Sequence, residues 1–172
     1  MSNLGKVAPL CFCFSHPIIF FTTMATRSRI GILLPDDSIL AVYCHWDGYP
    51  EYNGVVLKKK FNTYEKVAEL IDGGDMSSLE SWYDDDGNEL EEPRTVYNTD
   101  TVDMGDTIDN NAPQLFKNFD EFTKVDCGEE FLYVFVKDRW EAYEVSRNRD
   151  DDYNIISVNV KNVEIPDDMP VK

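Results

Sequence analysis

The stretch from Val42 to Gly54 carries most of the side chains in this sequence that could do chemistry. Its thirteen residues include one thiol, one imidazole, four other aromatic rings, two carboxylates and two glycines. Cys44, His45 and Asp47 are the residue types of a nucleophile, a base and an orienting group. Neighbouring residues of a strand point to opposite faces, so Cys44 and His45 are poorly placed to hydrogen-bond each other. We therefore expect a buried structural cysteine beside a half-exposed histidine, and the pattern does not favour an enzyme.

The aromatic rings of this stretch favour binding instead. A loop that carries several rings with acidic and amide side chains between them is typical of a contact surface or a small-ligand pocket. Rings supply contact area at little entropic cost, and the acids favour a cationic or hydroxyl-rich partner. Core packing explains one or two of the rings equally well. The predicted binding residues are His45, Trp46, Asp47, Tyr49, Glu51, Tyr52 and Asn53.

The sequence predicts no metal site and no cofactor. Cys44, His45, Asp47 and Cys127 do not have a spacing typical of a zinc site. The run Asp84–Glu89 resembles a calcium loop, but the glycine and the closing glutamate of an EF-hand are not at the required positions. No phosphate-binding, dinucleotide-binding, serine-hydrolase or zinc-protease motif is present.

Two hairpins are predicted to position the central stretch and to close the sheet. Ile30–Leu34 and Ile39–Cys44 are rich in β-branched and aliphatic residues, and a proline-containing turn separates them. Glu130–Val136 and Arg139–Val145 form the second hairpin, and its first arm is apolar on both faces, which is typical of a central strand. Ile155–Val160 supplies a last strand.

Two helices are predicted from their capping residues. Asn62 followed by Glu65 resembles a capping box, and so does Asn118 followed by Glu121. A paired glycine ends the first helix. The first helix has an apolar stripe with helical spacing, made of Tyr64, Val67, Ala68 and Ile71.

The region between these elements has a weaker pattern. Met76–Tyr83 predicts a helical turn or a strand that holds Trp82 in the core. Asp84–Asn111 is acidic and rich in turn residues, so we expect a long surface loop with one short strand near Thr95–Tyr97.

These elements predict one α+β domain over residues 27–165, with an antiparallel sheet and two short helices on one face. Residues 166–172 are expected to be a flexible tail. Residues 1–24 contain no acid and one lysine, and their apolar run is too short and too interrupted to span a bilayer. A signal peptide is one interpretation of this segment. We expect instead a leader or upstream extension of the reading frame, outside the fold, with a natural start at Met24.

Charge narrows the possible partners. The chain has 33 acidic and 16 basic residues, a net charge of −17, which disfavours direct binding to nucleic acid. The excess of negative charge then has three possible roles: solubility, affinity for a basic partner, or imitation of nucleic acid. The acids concentrate in predicted loops, and this distribution weakens the third interpretation. Two of the four cysteines lie in the 1–24 segment, and the remaining pair, Cys44 and Cys127, forms no disulfide framework, which indicates a reducing cytoplasm.

Several segments carry a resemblance to a group of small uncharacterised proteins of tailed phages and prophages. The resemblance covers most of residues 27–145, and its most specific part is the string Tyr-Cys-His-Trp-Asp-Gly-Tyr-Pro that begins at Tyr43. It implies a phage origin but no particular activity. Arg139 stands where the group has a glycine, and the acidic insert and the leader also depart from the pattern. The segments are Ser28–Ile32, Val42–Pro50, Tyr64–Ile71, Gly74–Leu79 and the hairpin near Phe131–Tyr143.

Together these features predict an acidic phage accessory protein that acts in the host cytoplasm and binds a host protein without catalysis. The predicted contact surface is the Trp46–Gly54 loop with its acidic flanks. One alternative is a small-ligand binding protein or sponge that holds a nucleotide or metabolite in the same loop. A second alternative is a nucleic-acid mimic. No membrane association is expected.

Overall fold

A computed structural model describes residues 25–83, 87–98 and 111–170. The predicted leader 1–24 and most of the predicted acidic loop lie outside these residues. The described strands are β1 Arg27–Leu33, β2 Ile39–Cys44, β3 Met76–Tyr83, β4 Glu89–Tyr97, β5 Gln114–Phe116, β6 Glu129–Val136, β7 Arg139–Arg149 and β8 Ile155–Val163. The helices are α1 Val55–Lys60, α2 Tyr64–Asp72 and α3 Phe119–Lys124, and a π-helical turn, Pro50–Gly54, precedes α1.

The fold is α+β, and its sheet is mixed. Seven strands follow the order β4-β3-β2-β1-β6-β7-β8, and β5 pairs with β2 beside this row. The prediction of an antiparallel sheet was wrong, because β1 pairs with β6 and β2 pairs with β3 in parallel. Parallel neighbours need long crossover connections. The π-helical turn, α1 and α2 connect β2 to β3, and β2 to α3 lie between β1 and β6 in the chain.

The helices lie on both faces of the sheet. The larger core contains Val56 and Leu57 of α1 and Ile71 of α2, packed on one face. Phe122 of α3 belongs to a smaller core on the opposite face, together with β5. The prediction of two helices on one face was therefore wrong, because capping residues indicate where a helix begins and not which face it covers. No helix among the described residues is long and apolar enough to cross a membrane.

Local signals locate most helix starts and turns. Asn118 caps α3 as predicted, with its Oδ1 accepting from Glu121 N at 2.9 Å. Thr63 rather than Asn62 caps α2, and its Oγ1 accepts from Lys66 N at 3.4 Å. The turn between β6 and β7 is also as predicted.

The β3–β4 region differs from its prediction. Glu89–Tyr97 forms a nine-residue strand where a loop with one short strand was expected. The three glutamates and the proline of this segment are typical of a loop, so its local sequence does not predict a strand. Pairing with β3 nevertheless holds it in an extended conformation. Trp82 is 48% exposed instead of buried in the core. The core side chains of β3 are Met76 and Leu79, nearer its start.

A buried ion pair lies on the face of the sheet that carries α3. Arg29 and Glu129 are 3% and 2% exposed, and their Nε and Oε1 atoms are 2.8 Å apart. Arg29 also donates to Gln114 Oε1 at 3.1 Å, and Cys127 N donates to Glu129 Oε2 at 2.7 Å. Arg147 donates to the carbonyl oxygen of Glu129 at 2.6 Å. These bonds join β1, β5, β6 and β7 at one end of the sheet.

Candidate functional site

Pairing with β3 continues past the end of β2 and places Trp46. The amide of His45 donates to Met76 O at 3.1 Å, and the amide of Trp46 donates to Ser77 O at 2.9 Å. Asp47 then adopts a left-handed backbone with φ of 56°, which reverses the chain direction. The Trp46 backbone is therefore held beside Ser77, near the start of β3.

Gly48 anchors the next part of the loop from two sides. Its amide donates to Thr26 O at 2.8 Å, just before β1. Its carbonyl oxygen accepts from the Tyr133 hydroxyl at 2.8 Å, on the central strand β6. Burial of the Tyr133 phenol raises its pKa, so the hydroxyl keeps the proton that it donates.

Asn53 holds the loop in place from the interior of the protein. It is fully buried, and its Nδ2 donates to Trp46 O at 3.1 Å and lies 3.4 Å from both Ser28 Oγ and Cys44 Sγ. In the described part of the chain its Oδ1 has no hydrogen-bond partner. Asn53 was predicted as a binding residue, but its position supports the loop from inside.

Between this loop and β3 lies an open cleft of about 380 Å³. Trp46, Trp82 and Tyr83 are 44%, 48% and 56% exposed around it. Three serines, at 77, 78 and 81, add hydroxyl groups to its wall. The residues that characterise the cleft are Trp46, Asp47, Tyr52, Glu80, Trp82 and Tyr83.

Two carboxylates line the cleft, and a lysine neutralises one of them. Glu80 is 9% exposed and forms an ion pair with Lys60 of α1. Within the described residues, the Asp47 carboxylate accepts one long hydrogen bond, from the Tyr49 hydroxyl at 3.5 Å. Tyr52 donates to Glu80 O at 3.3 Å, and burial, assisted by the charges of Glu80 and Asp47, raises the pKa of Tyr52 to about 12. The cleft is thus aromatic, acidic and rich in hydroxyl groups at neutral pH.

Besides Asn53, three predicted binding residues lie outside this cleft. His45 contacts the Tyr43 hydroxyl through Nδ1 at 2.9 Å. Burial, and then the charge of Arg27, lower the pKa of His45, which favours the neutral ring. Tyr49 is half-buried with its ring centroid 6.2 Å from that of Tyr52, and Glu51 is exposed to solvent. Trp46, Asp47 and Tyr52 are the predicted residues that the structure brings together.

The other half of the cleft was missed from the sequence. Glu80, Trp82 and Tyr83 come from β3, which lies beside the loop only through tertiary pairing. One feature of the sequence could have indicated these residues, namely the adjacent pair Trp82-Tyr83. Neighbouring strand residues face opposite sides, so a core on one face does not bury both.

Cys44 is placed as a structural residue. It is fully buried in the larger core, and burial raises the pKa of its thiol to about 11. Its thiol donates to Trp46 O at 3.6 Å, whereas His45 bonds Tyr43. A nucleophile must be accessible and ionised, so this geometry does not support catalysis by Cys44 with His45.

We therefore expect Cys44 of the folded chain to resist alkylation at neutral pH while the exposed Cys127 reacts. Treatment with iodoacetamide followed by peptide mapping measures both sites, and denaturant should make both reactive. Alkylation of Cys44 at the rate of Cys127 in the folded chain would contradict the structural role.

Among the described residues, no three histidine, cysteine, aspartate or glutamate side chains cluster in a way that could hold a metal ion. No family model, curated protein or solved structure matches this chain. The resemblance to tailed-phage proteins therefore stays a prediction, and the cleft must be interpreted from its own chemistry.

Proposed function

We propose that this chain is a non-enzymatic protein-binding factor and that the cleft between the Trp46–Gly54 loop and β3 is its contact surface. The observation that carries the proposal is the group of three large aromatic side chains that stay about half-exposed around one cavity. Aromatic residues that bury fully on association, especially Trp and Tyr, dominate binding energy at protein interfaces. Fully burying a large apolar side chain that starts exposed is worth about 1.5–3 kcal/mol, and these rings start about half-exposed.

The charges favour a partner segment that carries lysine or arginine. Lys60 already pairs with Glu80, so this wall of the cleft accommodates an ammonium group. A carboxylate has about four acceptor positions, and Asp47 therefore keeps capacity for a further cation. Cations also bind favourably over Trp and Tyr rings. The net charge of −17 would steer a basic partner toward the protein.

The location of the partner rests on the resemblance to tailed-phage proteins. Small acidic accessory proteins of phages often act on host proteins, so we place the partner in the host cytoplasm. This association supports the choice of lysate for an experiment, and the cleft supports the choice of variants.

We expect Trp46→Ala and Trp82→Ala to weaken partner capture by about 30-fold each, because each removes about 2 kcal/mol of central aromatic contact. The measurement is affinity capture from host lysate on the immobilised full chain, followed by titration of the retained protein. Tyr64→Ala is the matched control, because Tyr64 is 49% exposed on α2, away from the cleft.

All three variants should unfold at nearly the same denaturant concentration as the wild type, because surface truncations change stability little. Equal capture by the wild type, Trp46→Ala and Trp82→Ala would rule out the cleft as the contact surface.

A small-ligand function is the second candidate, and the cleft volume of about 380 Å³ favours it because ligand pockets begin near this size. The half-exposed rings leave the cleft open, which is more typical of a protein contact. Thermal-shift screening with nucleotides and metabolites separates the two. Stabilisation by a small molecule that Trp46→Ala abolishes, with no retained protein, would favour the ligand-binding function.

A further inference from the structure

The two edges of the sheet differ in how they are protected. Edge strands expose unpaired backbone groups, and proteins commonly block them with charges, proline or irregular pairing. At one edge, β4 carries Glu89, Glu91, Glu92 and Pro93, and its pairing with β3 has three irregularities. These features make β4 a poor template for another strand.

At the opposite edge, β8 has fewer of these protections. It contains no proline and one charged residue, Lys161, and its pairing with β7 has one irregularity, near Arg149. In the part of the chain that the structure describes, β8 ends the strand order and no strand covers its outer side. Alternate residues of β8 therefore direct free amide and carbonyl groups outward.

An apolar groove runs beside this open edge. It has a volume of about 490 Å³ and lies between α3 and β8. The helix contributes Phe119 and Thr123 together with the charged Asp120 and Lys124, and the strand contributes mainly apolar residues, among them Ile156, Val158 and Val160. Ile156 is 68% exposed and Phe119 is 38% exposed, so the groove presents apolar surface to solvent.

We propose that β8 accepts an extended segment of a partner protein as an additional strand, with alternate apolar side chains of that segment in the α3–β8 groove. Main-chain hydrogen bonds to a free edge provide affinity in this recognition mode, and pockets for alternate side chains provide specificity. The free backbone groups of β8 determine that the occupant is extended, and the groove determines that it is apolar on one face.

The charges at the ends of β8 determine the rest of the partner chemistry. Asp151 and Asp152 are exposed just before β8, and Glu164 is exposed just after it. A second copy paired through β8, in either direction, would place acids beside acids at both ends, and like charges across strands are destabilising. The charges therefore favour a partner segment that carries basic residues on both sides of its apolar core.

The test uses the isotope-labelled full chain and a synthetic peptide of alternating valine and threonine with two lysines at each end. Amide hydrogen exchange is measured by NMR with about 1 mM peptide, a concentration that detects weak complexes. We expect alternate amides of β8 to become protected. The same peptide with its valine and threonine amides methylated should not protect them, because the methyl groups remove its donors and block the close approach of the two strands.

Two matched variants separate the groove from general charge effects. Ile156→Glu places a charge in the groove, whereas Asn159→Glu places the same charge on the other face of β8; both positions are exposed. We expect Ile156→Glu to weaken peptide binding about tenfold or more and Asn159→Glu to change it by less than about twofold. The protection of β8 amides should be the same in Trp46→Ala as in the wild type, so this measurement is independent of the aromatic cleft.

Three results would overturn the proposal. The first is no protection of β8 amides at that peptide concentration, and the second is equal protection by the methylated peptide. The third is protection of β8 that grows with protein concentration in the absence of peptide, which would show that a second copy covers the edge.

Discussion

Replacing Arg29 by methionine is expected to lower the free energy of unfolding by about 3 kcal/mol, because Glu129 would remain as a buried charge without its partner. Breaking one side of a buried ion pair costs about 3–5 kcal/mol. We expect the low end because the charge of Arg147 also interacts with Glu129. Urea denaturation measures the change.

A double variant tests the cause of this loss. Arg29→Met with Glu129→Leu removes both charges, so we expect it to recover at least half of the stability lost in the single variant. Lys124→Met is the surface control: its partner Asp120 is on the same helix, both side chains are more than half exposed, and such pairs contribute about 0.5 kcal/mol. If Arg29→Met costs no more than Lys124→Met, the pair does not stabilise the fold.

The ion pair also illustrates what the sequence could not provide. Arg29 and Glu129 are one hundred residues apart, and their contact depends on the parallel pairing of β1 with β6. The hairpins and helix starts were predictable because their signals lie within a few residues. Pairing between strands that are distant in sequence leaves no local pattern, and the mixed character of the sheet was missed for this reason.

The candidate site likewise has one part that the sequence predicts and one part that depends on tertiary pairing. Trp46, Asp47 and Tyr52 were predictable because they lie in one dense stretch of functional side chains. Trp82 and Tyr83 complete the cleft only because β3 pairs with β2 and its extension. The sequence stretch also contains residues that support the loop without facing a ligand, such as Asn53, and composition cannot distinguish the two roles.

Gly48→Ala is expected to lower the free energy of unfolding by about 3 kcal/mol, at the upper end of the usual cost of overpacking. A β-carbon at this position would lie 2.8 Å from the Thr26 carbonyl oxygen and from the Arg27 carbonyl carbon, which are backbone atoms next to a central strand. The loop cannot move away from β1 without lengthening the hydrogen bonds that join Gly48 to Thr26 and Tyr133. Thermal and urea unfolding of the full chain measure the loss.

Gly54→Ala is the matched control, because Gly54 is a second buried glycine of the same stretch. Its added β-carbon would meet the flexible end of the Ile165 side chain at 3.1 Å, and its backbone is helical, with φ −58° and ψ −47°. The gain in helix propensity, about 1 kcal/mol, offsets this contact, so we expect a net change within about 1 kcal/mol. Equal costs for the two variants would show that the close approach of the loop to β1 is not rigid. A larger cost for Gly48→Ala would show that the loop is held rigidly against the start of β1.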